Sequence, residues 1–574
     1  MKVSSDERGG GAPLAKLARS WQPLSLTKRH LIVAATLAAA ASIFLLLLIV
    51  PGKSVQAQIA SDLWLFLDSG YRLLQGQVPN RDFGTPLGPL TYVLLAAGLG
   101  LSGSIGGMVP VATGLFVIAL LPLTIYSSQT RLPLGIALLF GIYILILAIA
   151  PFFIGDVAPK PTHAMFYNRF GWATLSLLFL FLLPRRGGFG NSGIDAVVMA
   201  ACVALLFYLK ITFAAVAAAF LVGLIWFPHS RRSAIGALLL TAATLLLVEL
   251  FWGGTANYLS DIRSAARATG AVRDGSVGLA ASIINNIHGS YLFAAVLLIA
   301  WLRGARWDYL FICFCMGAAG IVLDRHNSQG PGILTYVPGA LAALLAPRRG
   351  GAAAAFPHMG TAGALLAGAL FIPMAASALG NLLFHAWKAT HMSTPQYAGT
   401  IVDGMIVMEP ATSTQTLAKA QGLRAAKRDC GPIEPGLLIN PDRPPVETGH
   451  DMVVPVVEDA VRLLAANPAL GGTVMGFDTA EPFNAILHRP PPRTGVSFVD
   501  ADITISETVH PKAEDLYGDV DVLLVPKMPW KFGTFRLLEQ LYGDYVRQHF
   551  VLADRSSCWD AYRRKVPRAV RTAK

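Results

Sequence analysis

The sequence predicts a polytopic α-helical membrane protein with about eleven transmembrane helices, interfacial helices in the first outer loop and an α/β unit at the C-terminal end. Three observations predict this class. The 574 residues are 54% hydrophobic and only 14% charged, with a mean hydropathy of +0.53, which leaves too little charge to cover the surface of a soluble protein. Apolar runs of roughly 17–22 residues recur between short Arg-rich loops, as bilayer-crossing helices require. After about residue 380 the apolar runs shrink to strand length, and Pro, Asp and Arg become common.

The first span, Leu31 to Val50, follows Lys28-Arg29-His30 and contains no charge. About thirty polar and basic residues precede it and no small-residue cleavage site follows, so it does not read as a cleavable signal. A polar loop from Pro51 to about Pro86 comes next. Further apolar runs cover 108–127, 133–151, 165–183, 194–209, 211–228, 234–252, 286–303, 307–323, 332–346 and 358–380. The basic clusters Lys28-Arg29, Arg131, Arg185-Arg186, Arg231-Arg232, Arg303 with Arg306, and Arg348-Arg349 then all fall on one side, the cytoplasm. That result requires the short, Gly-rich run 87–101 to be re-entrant or interfacial.

The expected organisation is a cytoplasmic tail (1–30), a transmembrane unit (31–380) and an extracytoplasmic α/β unit (381–574), in the inner membrane of a bacterium. Loops 51–107, 152–164, 253–285 and 324–331 are outside, as is a turn at Lys210. The net charge of +12 sits at the ends of apolar segments, where it meets anionic lipid headgroups. No nucleic-acid module is present, so membrane lipid is the expected partner and nucleic acid is not.

In the C-terminal part, TVMGF (473–477) and DVLLVP (521–526) read as buried strands, and 456–466 and 535–548 as amphipathic helices. That part shows no Gly-rich phosphate loop, metal-ligand spacing or nucleophile elbow, which points to support or acceptor binding there, not chemistry. Cys202, Cys313 and Cys315 lie in apolar spans as small packing residues. Cys430 and Cys558 could form one disulfide if the C-terminal part is outside.

Candidate functional residues lie in the outer loops. From Asp62 to Leu74 the first loop reads as an amphipathic surface helix with Trp64, Leu67, Tyr71 and Leu74 inward. Ser61 or Asp62 could cap it, which is the plain structural reading of Asp62. Gly76, Pro79, Arg81-Asp82-Phe83 and Pro86 form a rigid, charged turn. Asp82 is either paired with Arg81 or Arg72, or functional. The next large loop, GDVAPKPTHAMFYNRFGW, offers Asp156, His163, Asn168 and Arg169; otherwise Asn168 caps a helix and Arg169 anchors to headgroups.

Lys210, in LLFYLKITFAAV, would cost roughly 3 kcal/mol at a helix centre. At an outer turn it meets a lipid phosphate, or it snorkels to the interface. Arg263 and Arg267, at i and i+4, suit phosphate oxygens or form a solvated face. Arg325, His326, Asn327 and Gln329 suit a phosphate and sugar hydroxyls, or make an ordinary polar turn.

An acidic residue just after the first span, then an amphipathic helix, then a G-x-x-P-x-x-D stretch (Gly76, Pro79, Asp82) resembles the type C (GT-C) glycosyltransferases. These include the protein mannosyltransferases and the aminoarabinose transferases that modify lipid A. The resemblance covers about residues 25–350; the C-terminal part carries none. It implies a polyprenyl-phosphate sugar donor used outside the membrane, and an acceptor hydroxyl on a glycan, lipid or protein in cell-envelope synthesis. Asp62 matches the family's first-loop acidic residue, a general base or acceptor-positioning group. Lys210 matches a lysine assigned to the donor phosphate, with Arg263, Arg267 or Arg325 beside it, and His326, Asn327 and Gln329 are then sugar or acceptor contacts.

The chain departs from the aminoarabinose pattern by placing Asn168-Arg169 where an Asp is common, with Asp156 and His163 nearby, which leaves the acceptor open. Nothing in the sequence demands a metal, although some relatives use a divalent one. A surface-polysaccharide polymerase or ligase, a flippase of lipid-linked sugars and a non-catalytic assembly factor are the rivals. Transport is the weaker of these, because no internal repeat is visible and the acidic residues lie in loops.

Overall fold

The computed structural model describes residues 26–156, 159–186, 190–270, 275–327, 332–348, 359–392, 403–407, 453–480 and 482–566. Two elements open the chain, helix α1 (Leu26–Ile49) and strand β1 (Ser54–Gln56). The helices α2 (Asp62–Leu74), α3 (Pro89–Ser102), α4 (Ile105–Arg131), α5 (Leu134–Ile149) and α6 (Phe166–Phe179) follow. Next come α7 (Ser192–Leu209), α8 (Ile211–Leu224), α9 (Arg231–Trp252), α10 (Thr255–Gly270) and α11 (Gly275–Asn285). Then α12 (Ile287–Leu302), α13 (Trp307–His326), α14 (Tyr336–Leu345) and α15 (Met359–His391) lead to strand β2 (Met405–Val407).

Six of these, α1, α4, α7, α9, α13 and α15, are long and apolar enough to cross a membrane, and α11 with α12 makes a seventh if their 76° bend is one broken span. Leu239, Leu246, Leu250 and Phe251 of α9 stand exposed, an apolar band that suits hydrocarbon and not water. The chain is a helical membrane protein. The other apolar runs fold as shorter helices: α3, α5, α8 and α14 have 14, 16, 14 and 10 residues.

Run 87–101 is the first half of a helical hairpin. At 14 residues, α3 is about 21 Å long, short of the roughly 30 Å hydrocarbon core. Gly103 ends it in the left-handed region, φ 69°, and Ser104 caps α4 by accepting the Gly107 N–H. The two helices touch closely because Gly98 lacks a side chain; a Cβ there would stand 2.1 Å from the Met108 carbonyl oxygen.

Basic residues at the other end are held internally. Asp195 accepts from Arg131 Nη2 at 2.7 Å, Arg185 Nε at 3.2 Å and the Tyr126 hydroxyl at 2.8 Å. Arg131 and Asp195 are buried, so this network ties α4 to α7 instead of merely facing headgroups. Helix α15 runs 33 residues, about 50 Å, so the expected boundary at 380 falls inside it. Beyond it β2 returns to pair in parallel with β1, Ser54 opposite Met405.

The C-terminal part contains α16 (Val453–Ala466), β3 (Val474–Gly476), α17 (Phe483–Ile486), α18 (Ala513–Tyr517), β4 (Val522–Pro526), α19 (Phe532–His549), β5 (Phe550–Arg555) and β6 (Trp559–Arg564). The sheet order is β3-β4-β6-β5, with β3 parallel to β4 and the rest antiparallel. Both expected strands and both expected helices are present. Phe477, Leu523, Phe535, Leu538 and Tyr542 fill the core between sheet and helix. Cys558 is disulfide-bonded, while Cys202, Cys313 and Cys315 are free; Cys430 lies outside the described residues.

This sheet unit docks on the first loop. Gly84 and residues 495–497 exchange backbone hydrogen bonds, Gly84 N–H to Gly495 and Ser497 N–H to Gly84, each at 2.9 Å. Buried Arg72 pairs with Asp68 at 2.7 Å and donates from Nη1 to the Pro492 carbonyl at 2.8 Å.

Candidate active site

The sequence places Asp62 at the start of an amphipathic helix, and α2 begins there. Trp64, Leu67 and Tyr71 are buried as expected, and Leu74 is exposed. The capping reading of Asp62 does not hold: Ser61 occupies the N-cap with helical dihedrals and makes no side-chain cap bond. The half-buried Asp62 carboxylate instead accepts the backbone N–H of Met165. Met165 has φ 49°, a left-handed conformation that a non-glycine residue adopts at a cost of order 1–3 kcal/mol. Burial pushes the Asp62 carboxyl from 3.8 to about 7, against the opposing pull of Lys531 and the Met165 N–H, with Asp500 adding to the rise.

Lys210 is the single non-helical residue between α7 and α8, with extended dihedrals, φ −163° and ψ 121°. The two helices pack against each other, so the chain turns at Lys210 as expected. The turn is held from outside. Gly88 donates its N–H to the Leu209 carbonyl at 3.0 Å, and its missing Cβ would lie 2.1 Å from the Tyr208 carbonyl oxygen. The Tyr258 hydroxyl of α10 accepts the Ile211 N–H at 3.2 Å and donates to the Phe207 carbonyl at 3.3 Å. Orphan backbone groups at the break are thereby satisfied.

Both candidates converge on the start of α6. Lys210 Nζ lies 5.3 Å from the Tyr167 ring centroid and donates to Asn168 Oδ1 at 3.2 Å. The Asp62 charge acts on the same Tyr167. Asn168 Nδ2 donates to the Asn327 carbonyl at 3.3 Å, and both Asn327 side-chain polar atoms are buried without a partner among the described residues. Tyr167, Lys210, Asn168 and Asn327 therefore form one chain of contacts, and Asp62 meets the same helix start at Met165.

Asn168 is not a helix cap, and Arg169 is not a headgroup anchor. Arg169 is buried at 1% exposure, donates from Nη1 to the Phe152 carbonyl at 2.9 Å, and leaves Nε and Nη2 without an acceptor among the described residues. His163 Nε2 stands 3.4 Å from His385 Nε2, and burial first, then His385 and Arg169, hold the His163 imidazole neutral.

Other expected residues lie apart from this chain of contacts. The Asp82 carboxylate accepts the Val78 N–H at 2.7 Å and faces Arg81 at 3.5 Å on the surface, the structural alternative for that residue. Asp156 is held by the Gln58 side chain. Arg263 and Arg267 are exposed on α10. His326 turns back to donate to the Val322 carbonyl of its own helix at 2.9 Å, because it sits in the last turn where carbonyls lack partners. Arg325 is half-buried on that turn. Gln329 lies outside the described residues.

The C-terminal part reaches the site, where the expectation was support or acceptor binding. Lys531 caps the start of α19, just after β4, and its ammonium is ion-paired with Asp500. The pair acts on Asp62 with opposite signs. Asp478 follows β3 and accepts the Trp530 N–H at 2.7 Å; burial lifts its carboxyl to about 7. These residues sit past the C-terminal ends of two parallel strands, where open α/β sheets place ligands. That position was the available signal for Lys531; Tyr167 carried none.

Among the described residues no group of three His, Cys, Asp or Glu side chains is placed to hold a metal ion. Comparisons with protein-family models, curated proteins and solved structures find no match to this chain.

Proposed function

We propose that this protein is a GT-C-like glycosyltransferase of a bacterial inner membrane that moves a glycosyl group from a polyprenyl-phosphate sugar to an acceptor hydroxyl on the outer face. The observation that carries the reading is the convergence of Asp62 and Lys210 on the start of α6, Asp62 at the Met165 N–H and Lys210 at Tyr167 and Asn168. An acid and an ammonium that both reach the start of one helix suit a displacement in which one end loses a proton and the other gains negative charge.

In this reading Asp62 takes the proton of the acceptor hydroxyl, or orients it, as the hydroxyl oxygen attacks the anomeric carbon. The bond from that carbon to the carrier phosphate breaks, and Lys210 neutralises the departing phosphate. Attack and departure on opposite faces invert the anomeric carbon. Lys531 supports the Asp62 carboxylate against burial, and the unpartnered Asn327 amide suits a sugar hydroxyl. The topology that accompanies this reading has α3 re-entrant, about eleven helical segments in the membrane and the sheet unit outside.

The test compares lipid extracts of cells carrying wild type, Asp62→Asn and Lys210→Ala. Build-up of a polyprenyl-phosphate sugar in both variants is the expected result, and the accumulated lipid names the donor. Carrier trapped on the cytoplasmic face would replace transfer by transport. Full activity of Asp62→Asn would make the chain a non-catalytic factor.

A further inference from the structure

A cavity of about 420 Å³ lies between α5, α12, α14 and α15, lined by both Arg303 and Arg348 and otherwise by apolar or small side chains. The two guanidiniums are close enough to act unfavourably on one another. Neither makes a hydrogen bond or ion pair among the described residues. The sequence from 346 to 358 contains no Asp or Glu, and Asp308, at the start of α13, is already held by Arg306 at 2.6 Å. Arg348 is exposed and Arg303 half-buried, so the two like charges share the mouth of the cavity, where solvent or an anion between them offsets their repulsion.

The rest of the cavity does not suit a soluble anion. Phe140, Leu344, Leu345 and Phe371 give it an apolar wall. Gly360, Ala364 and Gly368 recur every fourth residue on α15, so the smallest side chains share one face and leave the space open. Gly360 also makes room for the cation: a Cβ there would stand 3.2 Å from Arg303 Nη2. Small residues at this spacing ordinarily let helices close up; here they border a cavity.

We propose that this cavity binds one anionic glycerophospholipid, its phosphate bridged by Arg303 and Arg348 and an acyl chain laid along the Gly360-Ala364-Gly368 face. Arginine forks match phosphate oxygens, and basic pockets between membrane helices select anionic headgroups. The site is independent of the proposed transfer reaction.

The full-length protein, delipidated in detergent, is titrated with phosphatidylglycerol or phosphatidylcholine, and bound lipid is counted by native mass spectrometry. Wild type is expected to retain one phosphatidylglycerol in preference to phosphatidylcholine. Arg303→Gln with Arg348→Gln should weaken retention about thirtyfold. Ala364→Phe keeps both charges, fills the apolar face and should also lose the lipid, which covers the case in which the double variant fails to fold. Equal retention of phosphatidylcholine overturns the proposal, as does unchanged retention in the folded double variant. Stabilisation of wild type by inorganic phosphate to the same extent as by phosphatidylglycerol also overturns it, because the occupant is then a free anion.

Discussion

The ammonium group of Lys531 lies within electrostatic range of the Asp62 carboxylate and opposes the rise that burial imposes on it, across the seam between the C-terminal sheet and the membrane helices. Lys531 is itself paired with Asp500, so the charge state of Asp62 depends on two residues of the C-terminal part.

A pH profile reads that dependence. Burial raises Asp62 to about 7, so a reaction that needs its carboxylate gains rate as pH rises through about 7. Lys531→Met removes the supporting cation and leaves Asp500 as an unopposed like charge, so the limb should move up by roughly one unit. Asp500→Asn should move it down. Lipid-linked transfer measured from pH 5 to 9, an assay range of roughly two units either side of that value, checks both signs; unchanged profiles would remove Lys531 from the site.

Stability should move the opposite way. A carboxyl held above its ordinary 3.8 favours the fold when protonated, so its folded state loses stability as pH rises from about 4 to about 7. Asp62→Asn removes that loss, and thermal unfolding at neutral pH should show a gain on the order of 1–3 kcal/mol while activity disappears.

Asn168 can be tested by placing an acid at its position. Asn168→Asp places a carboxylate where the amide oxygen now lies 3.2 Å from Lys210. The new ion pair competes with the donor phosphate, and KM for the lipid-linked sugar should rise about tenfold. An unaltered KM would mean that Lys210 does not meet the phosphate.

How far the site was legible depends on the range of the signal. The bounds of α2 follow from its own apolar period, and the turn at Lys210 from the cost of a charge inside an apolar block. The convergence of α2, α6 and the Lys210 turn is tertiary; no local pattern in MFYNRFGW marks Tyr167 as their meeting point. The place of Lys531 after β4 was open to a local reading, but its influence on Asp62, at the far end of the chain, was not. Span counting has another limit: α8 and α14 are apolar enough, yet α8 stops early, before Ile225, and α14 starts late, at Tyr336, and periodicity does not report where an apolar run is helical.

Gly88 offers a check on the backing of the Lys210 turn. Gly88→Ala puts a methyl group at the Tyr208 carbonyl oxygen, 2.1 Å away without movement. The first loop or the break must shift, which should cost about 1–3 kcal/mol and lower transfer without touching either reacting end. A chemical-denaturation midpoint beside a turnover assay separates the two losses.

The buried carboxylate of Asp195 should be structural only. Asp195→Ala leaves the Arg131 guanidinium buried and unpaired, a loss of about 3–5 kcal/mol. Low folded yield with normal specific activity in the surviving fraction is the expected outcome.

The pairing of β1 with β2 sets an order on biogenesis. Ser54–Gln56 leaves the ribosome just behind the first helix, whereas Met405–Val407 appears only after α15 has been synthesised. Until then the early strand is an open edge. A chain cut short before residue 405 therefore displays a bare peptide rim, and the finished protein hides it, so this junction distinguishes complete from abandoned copies.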